Sequence, residues 1–485
     1  MTHMAAHWIG TEWIPASASG GHENIGPADG AAVGRVPLGG RAEAVAAIAA
    51  AKRAFLQTSW SQSPRLRADV LFEVADRINA KAPALADLLS RETGKLLRVA
   101  RMELASTVSE IRYYAGLVRA LSGRVIEVDP GMYSLLLREP AGVAGIIVPW
   151  NAPGILLVRS LAPALAAGCS AVIRPALQSS LFNSAVMECF RGLKGLPDGI
   201  VNTFSEAGFE GSQELVRSPD VDVISFTGSS AVGKQIMADA APTLKRLNLE
   251  LGGKAPAIIF EDCDLEAIAP RIAMAAMILS GQQCTAINRI LVHESIFAKA
   301  KEVFPRALAA MKVGRIDQED TQIGPLISAA SCNRIERLVA EARSIGTVVL
   351  EGHKPGGELA KGAFLTPSVL NVEKMDTHFV QEEFFGPVVN IERFSDEADA
   401  VSRANATRYG LSASVWTRDL ARAHRVARAV KSGTVWINEH NRLTPEVETG
   451  GRGNSGYGRL HGVEGLNEFM ETKHVFQNHG AWPRA

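Results

Sequence analysis

Charge of one sign is not in excess in the 485 residues: 51 Lys and Arg face 51 Asp and Glu, for a formal net charge of zero. No run of like charges stands out either, which argues against nucleic acid or a membrane surface as a partner. Long hydrophobic runs are missing. The stretches 143–148 and 155–167 are interrupted by Gly, Pro or Arg and are too short to span a bilayer. The first twenty residues lack a basic region followed by an apolar one, so no signal peptide is expected. Five cysteines (Cys169, Cys189, Cys263, Cys284, Cys332) show neither paired nor metal-ligand spacing. They read as reduced thiols in a cytosol, with no disulfide framework and no metal requirement. There is no internal repeat and no low-complexity linker. What is left is an ordinary globular composition, 47% hydrophobic and 21% charged. The chain is too long for one core, so two or three domains are expected, in a cytoplasmic protein.

The stretch to about Ala115 is rich in Ala, Leu, Arg and Glu at helical spacing, as in 42–55 and 67–107. From Ser122 to Leu137 the character changes to two strands joined by Asp129-Pro-Gly131, a hairpin that can pack on another element or another subunit. Strands and helices then alternate. Strands are expected at 143–148, 171–173, 200–204 and 221–226, and helices at 155–167, 180–190, 209–217 and 231–240. This is the pattern of a parallel sheet covered on both faces. A second alternating series runs from Ala255 to about Asn438, and the tail from His461 is mixed.

Five segments carry candidate chemistry, and each has a plain structural reading beside the functional one. Gly281-Gln-Gln-Cys284 follows a helix expected over 264–279, capped by Asp264; a lone Cys is as readily a small buried hydrophobe as a nucleophile. Leu249-Glu-Leu-Gly-Gly-Lys254 places Glu250 at the end of a short strand, as a base for water or as a carboxylate beside a turn. Pro149-Trp-Asn151 sits beyond the strand 143–148, where open α/β sheets bind ligands; its amide suits a developing oxyanion or merely a turn. Phe226-Thr-Gly-Ser-Ser-Ala-Val-Gly233 joins a strand to a helix whose N-terminus can hold a phosphate, although it lacks the G-x-G-x-x-G fingerprint. Gln381-Glu-Glu-Phe-Phe-Gly-Pro387 offers Glu383 for a ribose diol and Phe385 for a ring, or a capped turn with core aromatics.

In order and wording, these segments resemble the aldehyde dehydrogenase superfamily. So do Gly324-Pro-Leu326, Tyr409-Gly-Leu411, Trp436-Ile-Asn438 and Ser455-Gly-Tyr-Gly-Arg459, and the resemblance covers Trp13 to Lys473. The Glu250 and Cys284 segments are its most specific parts, and their separation of 34 residues matches the family. The resemblance implies an α/β fold with a Rossmann-type cofactor domain (1–117 and 141–251) and an α/β catalytic domain (252–455). It also implies an oligomerisation arm and tail (118–140 and 456–485), in a homodimer or homotetramer. It implies oxidation of a small-molecule aldehyde to a carboxylic acid with NAD or NADP. Cys284 would be the nucleophile, in a positive potential that lowers its pKa, with Asn151 and the Cys284 backbone N–H as oxyanion donors. Glu250 would activate water to hydrolyse the thioester, which favours hydrolysis over transfer to coenzyme A. For the cofactor the resemblance assigns Trp150, Arg174, Gly228, Ser229, Gly233, Leu251, Glu383 and Phe385.

Three departures bear on specificity. Where family members often read Lys-Pro-(Ala/Ser)-Glu, this chain has Arg174-Pro-Ala-Leu177. Loss of the carboxylate at Leu177 removes a repulsion against a 2′-phosphate, and Arg174 can pair with that phosphate, so NADP is expected to be tolerated. Arg159 lies on the helix expected to line the substrate tunnel, and the wording from Pro149 to Arg159 resembles the benzaldehyde- and salicylaldehyde-oxidising branch. Arg159 serves equally in a semialdehyde dehydrogenase that grips a substrate carboxylate, or simply paired with a carboxylate of the protein. Ile278, where that semialdehyde branch carries a second Arg, weighs against the semialdehyde reading. Glu448-Thr449 replaces a common Pro-Phe, so an aromatic tunnel wall is absent. The rival classes are an inactive nucleotide-binding member, which would be expected to have lost Cys284 or Glu250, and a coenzyme A-acylating relative.

Overall fold

The computed structural model describes residues 3–17 and 20–479. Residues 1–2, 18–19 and 480–485, including the end of the expected tail, lie outside the described residues. Among the described residues no helix is long and apolar enough to cross a membrane.

Two twisted sheets organise the chain. The run Val143–Val148 is apolar throughout, and all six residues are buried. Its side chains alternate between two cores: Ala144, Ile146 and Val148 enter one, Val143 and Ile147 the other. A strand buried on both faces needs helices above and below it, which favours a parallel sheet. Five parallel strands result, in the spatial order Arg246–Glu250, Val223–Thr227, Val143–Val148, Ser170–Pro175, Val201–Thr203. The chain winds outward from Val143–Val148 in one direction and then, from Val223–Thr227, in the other. Those two central strands therefore mark the topological switch point, and the crevice beyond their carboxyl ends is where such sheets bind ligands. Antiparallel strands close both edges: Gly456–Tyr457 beside Arg246–Glu250, and Ala6–Ile9 with Glu12–Pro15 beside Val201–Thr203.

The second sheet has seven strands. Six are parallel, in the order Ser368–Asn371, Val388–Phe394, Arg289–His293, Pro256–Ile259, Ser412–Trp416, Thr434–Ile437. Thr347–Leu350 pairs antiparallel at one edge. Here too alternate residues feed separate cores, Ala257 and Ile259 on one face and Ile258 on the other.

The expected hairpin forms strands Arg124–Asp129 and Met132–Pro140, turned by Pro130 and a left-handed Gly131 (φ 77°). The final strand, Met470–Asn478, pairs along the whole of Met132–Pro140 and makes a three-stranded, largely exposed sheet.

The N-terminal region departs from its helical reading. Five short strands (His3–Met4, Ala6–Ile9, Glu12–Pro15, His22–Ile25, Ala32–Val36) precede the first helix, Arg41–Gln57. The helical stretch 67–107 is two helices, Pro64–Thr93 and Leu97–Leu117. The break is at Gly94, where φ is 74° and a Cβ would meet Pro325 and Pro27.

Candidate active site

The Cys284 loop is built from strain. Asp264 caps the preceding helix as expected, accepting from the Glu266 and Ala267 amides, but the helix ends at Ala276 instead of 279. Leu279 (φ 49°), Ser280 (φ 58°) and Gly281 (φ 76°) then turn the chain through consecutive left-handed residues. Such conformations cost on the order of 1–3 kcal/mol per non-Gly residue and persist only where the surroundings enforce them. The surroundings do so here. The Ser280 hydroxyl donates to the Gly324 carbonyl at 2.8 Å, and the Ile327 amide donates to Gln282 Oε1 at 2.9 Å. On the far side, Asn441 Oδ1 accepts from Gln283 at 2.9 Å and from Thr285 at 2.6 Å. His440 bridges the Thr285 carbonyl (2.7 Å) and the Ser414 hydroxyl (3.0 Å); burial depresses its pKa to about 4, so it stays neutral.

Glu250 reaches the same place from the other sheet. It ends Arg246–Glu250, and two glycines carry the chain across to the second sheet. A Cβ on Gly253 would lie 2.5 Å from the Cys284 carbonyl oxygen, and one on Gly281 would collide with the Gly386 carbonyl. Only glycines let these three segments touch. Asn151, just past the strand Val143–Val148, donates its amide to the Gln282 carbonyl at 3.0 Å. Cys284, Glu250, Asn151 and Arg159 thus line one cavity of about 530 Å³. A second cavity of about 550 Å³ adjoins it, sharing Asn151, Met102 and Leu279.

The electrostatics correct one expectation. Burial pushes the Cys284 thiol up to about 12; Arg159 pulls it down, while Glu383 and Glu250 push it further up. The positive group is present but loses to desolvation, so the resting thiol is protonated. Burial likewise raises Glu250, against Arg159 first and then His461 and Arg459. A carboxylate raised in this way holds and releases a proton nearer neutrality than an exposed one.

Arg159 lines the cavity, but its charge is already matched. One nitrogen lies 3.7 Å from Glu250 Oε2 and another donates to the Thr227 hydroxyl at 2.9 Å, in a pair whose side chains are 6% and 4% exposed. Arg159 Nε and Glu250 Oε1 have no hydrogen-bond partner among the described residues.

The residues assigned to a dinucleotide lie together around the switch point. Ser229 caps the helix Ser230–Ala240, accepting from the Val232 amide, and the Gly228 amide donates to the Glu250 carbonyl at 3.0 Å. A Cβ on Gly233 would press into Leu251. Trp150 and Phe385, the latter at φ 49°, meet edge to face at 5.6 Å. Glu383 accepts from the Gly253 amide at 3.4 Å, and burial pushes it up to about 7. A helix N-terminus for a pyrophosphate, a carboxylate for a ribose diol and an aromatic pair beside it fit a dinucleotide.

Arg174 does not stand free for a phosphate as expected. It donates to Glu206 Oε1 at 3.1 Å and to the Gly208 carbonyl at 3.0 Å. Glu206, fully buried, also accepts from Gly211 (2.8 Å) and Ser212 (3.0 Å) at the start of helix Glu210–Arg217. Leu177 opens a short 3₁₀ turn nearby. Glu206, Glu110, His461, His440 and Asn441 are site residues that no sequence motif singled out. Among the described residues, no group of three or more His, Cys, Asp or Glu is placed to hold a metal ion.

A switch-point crevice beside a half-buried cysteine and a buried glutamate accords with a nicotinamide-dependent oxidoreductase. The family profile described as "Aldehyde dehydrogenase family" matches residues 13–475. The chain belongs to the aldehyde dehydrogenase family. It is 36% identical over 475 residues to betaine aldehyde dehydrogenase of Bacillus subtilis strain 168, covering 97% of each chain. It is 35% identical over 460 residues to peroxisomal aminoaldehyde dehydrogenase 1 of Pisum sativum, covering 93% of this chain and 91% of that one. A crystal structure of Staphylococcus aureus betaine aldehyde dehydrogenase in complex with NAD+ superposes with a TM-score of 0.94 at 34% identity, over 99% of this chain and 97% of that one.

Proposed function

We propose that the chain oxidises an uncharged aldehyde, aromatic or of medium size, to its carboxylic acid through a thioester on Cys284. The observation that carries this reading is the convergence of Cys284, Asn151 and Glu250 on one cavity beside the switch-point crevice. The Cys284 thiol gives up its proton to solvent, and Sγ bonds to the carbonyl carbon as the C=O electrons move to oxygen. That oxyanion is held by the Asn151 amide and the Cys284 backbone N–H, donors worth about 10²–10³ in rate at such a site. Bound NAD would be held by the Ser229 helix end, Gly228, Gly233, Leu251, Trp150, Glu383 and Phe385, and would supply the acceptor for the hydride that leaves the carbon as the C=O re-forms. Glu250 then takes a proton from water as its oxygen adds to the thioester carbon. The C–S bond breaks, Glu250 passes its proton to the departing thiolate and the acid leaves.

The substrate class rests on the cavity walls. Its described lining holds aliphatic residues such as Val99, Met102, Ile155 and Leu443, and no Trp, Tyr or Phe. A quaternary ammonium is recognised by aromatic faces, which this lining does not offer. The cationic substrate named for the Bacillus relative is therefore disfavoured. A carboxylated semialdehyde is disfavoured as well, because Arg159 already faces Glu250.

NADP is tolerated on this reading because Leu177 carries no charge, but Arg174, balanced by Glu206, gives it little added attraction. Residues 1–117 and 141–251 form the dinucleotide-binding unit and 252–455 the catalytic one, with 456–457 lending an edge strand to the first sheet. The exposed sheet of 124–129, 132–140 and 470–478 presents Val125, Ile126, Leu137 and Phe476 to solvent, which suits the arm of a homodimer or homotetramer. The free cysteines accord with a cytoplasmic location. The test is acid formation from neutral, cationic and carboxylated aldehydes with NAD and with NADP, each with and without coenzyme A. Neutral aldehydes should lead, without need of coenzyme A. A strict requirement for coenzyme A, or a preference for cationic aldehydes, would reject the reading.

A further inference from the structure

The departure at Glu448-Thr449 and a histidine in the tail form one structural unit. Thr449 and Leu460 exchange both backbone hydrogen bonds, at 2.9 and 3.0 Å, which places Thr449 beside His461. The Glu448 carboxylate accepts from the Val463 and Glu464 amides at 3.0 and 3.3 Å and so anchors the chain just after His461. His461 is held in the left-handed region (φ 60°), a conformation a non-Gly residue keeps only when its surroundings require it. Its Nδ1 lies 2.9 Å from both carboxylate oxygens of Glu110, on the helix Leu97–Leu117.

His461 and Glu110 are both more than nine-tenths buried, and with Thr449 they line the cavity that holds Cys284. Glu110 fixes the ring from its Nδ1 side and leaves Nε2 on the opposite edge to meet a ligand. Nε2 has no hydrogen-bond partner among the described residues. Thr449 Oγ1 is buried and equally without one. The wall that Thr449 and His461 share with the aliphatic Val99, Met102 and Ile155 thus keeps two polar atoms without a protein partner. Leaving such atoms unpaired beneath a bound ligand is unfavourable, so a site built this way discriminates for the ligand group that pairs with them.

We infer that Thr449 and the Glu110-oriented His461 form a subsite for a hydroxyl group carried by the substrate beyond its aldehyde carbon. This rests on the aldehyde oxidation proposed above and names its substrate class. A hydroxyl donates and accepts at once, so it pairs with both Nε2 and Oγ1. An ether or a plain alkyl group loses one or both bonds. A carboxylate would face the Glu103, Glu110 and Glu250 carboxylates of the same wall. Glu110 acts through the imidazole, as a positioning residue.

The test compares kcat/KM for hydroxylated aldehydes, their deoxy counterparts and their methyl ethers at matched skeletons, using 3-, 4- and 5-hydroxyalkanals and the three hydroxybenzaldehydes. At least one hydroxylated isomer is expected to exceed both counterparts by ~10-fold or more. In His461→Phe and in the near-isosteric Thr449→Val that ratio should fall toward one, a change a purely structural role would not produce. Thr449→Val carries the test if His461→Phe does not fold. Ratios near one for every wild-type pair, or a ratio that survives in the variants, overturn the subsite. Failure of the wild type to oxidise any aldehyde overturns the function beneath it.

Discussion

Replacing Arg159 with Met removes the guanidinium that lies against Glu250 inside the cavity. At 3.7 Å the attraction is about 4 kcal/mol with an effective dielectric constant of ~20. Breaking a buried pair on one side costs ~3–5 kcal/mol if the remaining charge stays ionised. Glu250 escapes part of that cost by keeping its proton. The sign follows from linkage: burial already holds the Glu250 pKa above its unfolded value. Its contribution to stability is therefore full below the unfolded value and is lost as pH rises through the folded one. Arg159→Met raises the folded pKa further, so the variant's deficit in thermal midpoint should be small at pH 5 and larger at pH 9. Steady turnover at pH 7 should drop at least ~10-fold, because a protonated Glu250 cannot take a proton from water, and should recover partly toward pH 9. Stopped-flow absorbance of the reduced coenzyme, recorded across that range, reads both the first turnover and the steady rate. A pH profile that superimposes on the wild type, with only KM for carboxylated aldehydes raised, would refute the pairing and restore Arg159 as a substrate anchor.

Asn151→Ala should lower kcat by about 10²–10³ with little change in coenzyme affinity, measured by fluorescence titration, since its amide serves the oxyanion. Equal losses in kcat and coenzyme binding would place Asn151 elsewhere. With the Cys284 thiol near 12, its alkylation by iodoacetamide in the free protein should accelerate roughly tenfold per pH unit between 7 and 10. A rate already level at pH 7 would mean a thiolate at rest.

Legibility in the sequence followed the range of the signal. Val143–Val148 could be read because a doubly buried strand is an unbroken apolar run. The Asp264 cap was visible for a similar local reason. The five N-terminal strands were not, because each is only two to five residues long. Their partners lie far off in sequence, as when Trp8 pairs with Thr203. Cys284, Glu250 and Asn151 stood out by wording, and the glycines at 253 and 281 explain physically why their segments meet. The helix end at 276 instead of 279 was hidden because Leu279 and Ser280 adopt left-handed backbone that their residue types disfavour. Pairs such as Glu110 with His461, 351 residues apart, and Arg174 with Glu206 carry no spacing rule. Burial, which decides the thiol's protonation, is a property of packing and cannot be read from the Cys284 segment.

The thioester itself is the most direct test of the central claim. In Glu250→Gln, mixed with NAD and a neutral aldehyde and quenched in acid, peptide mass spectrometry should find the acyl group on Cys284. A burst of reduced coenzyme close to one per active site should precede a slow steady rate. No acyl adduct on Cys284, or an undiminished steady rate in this variant, would contradict the account.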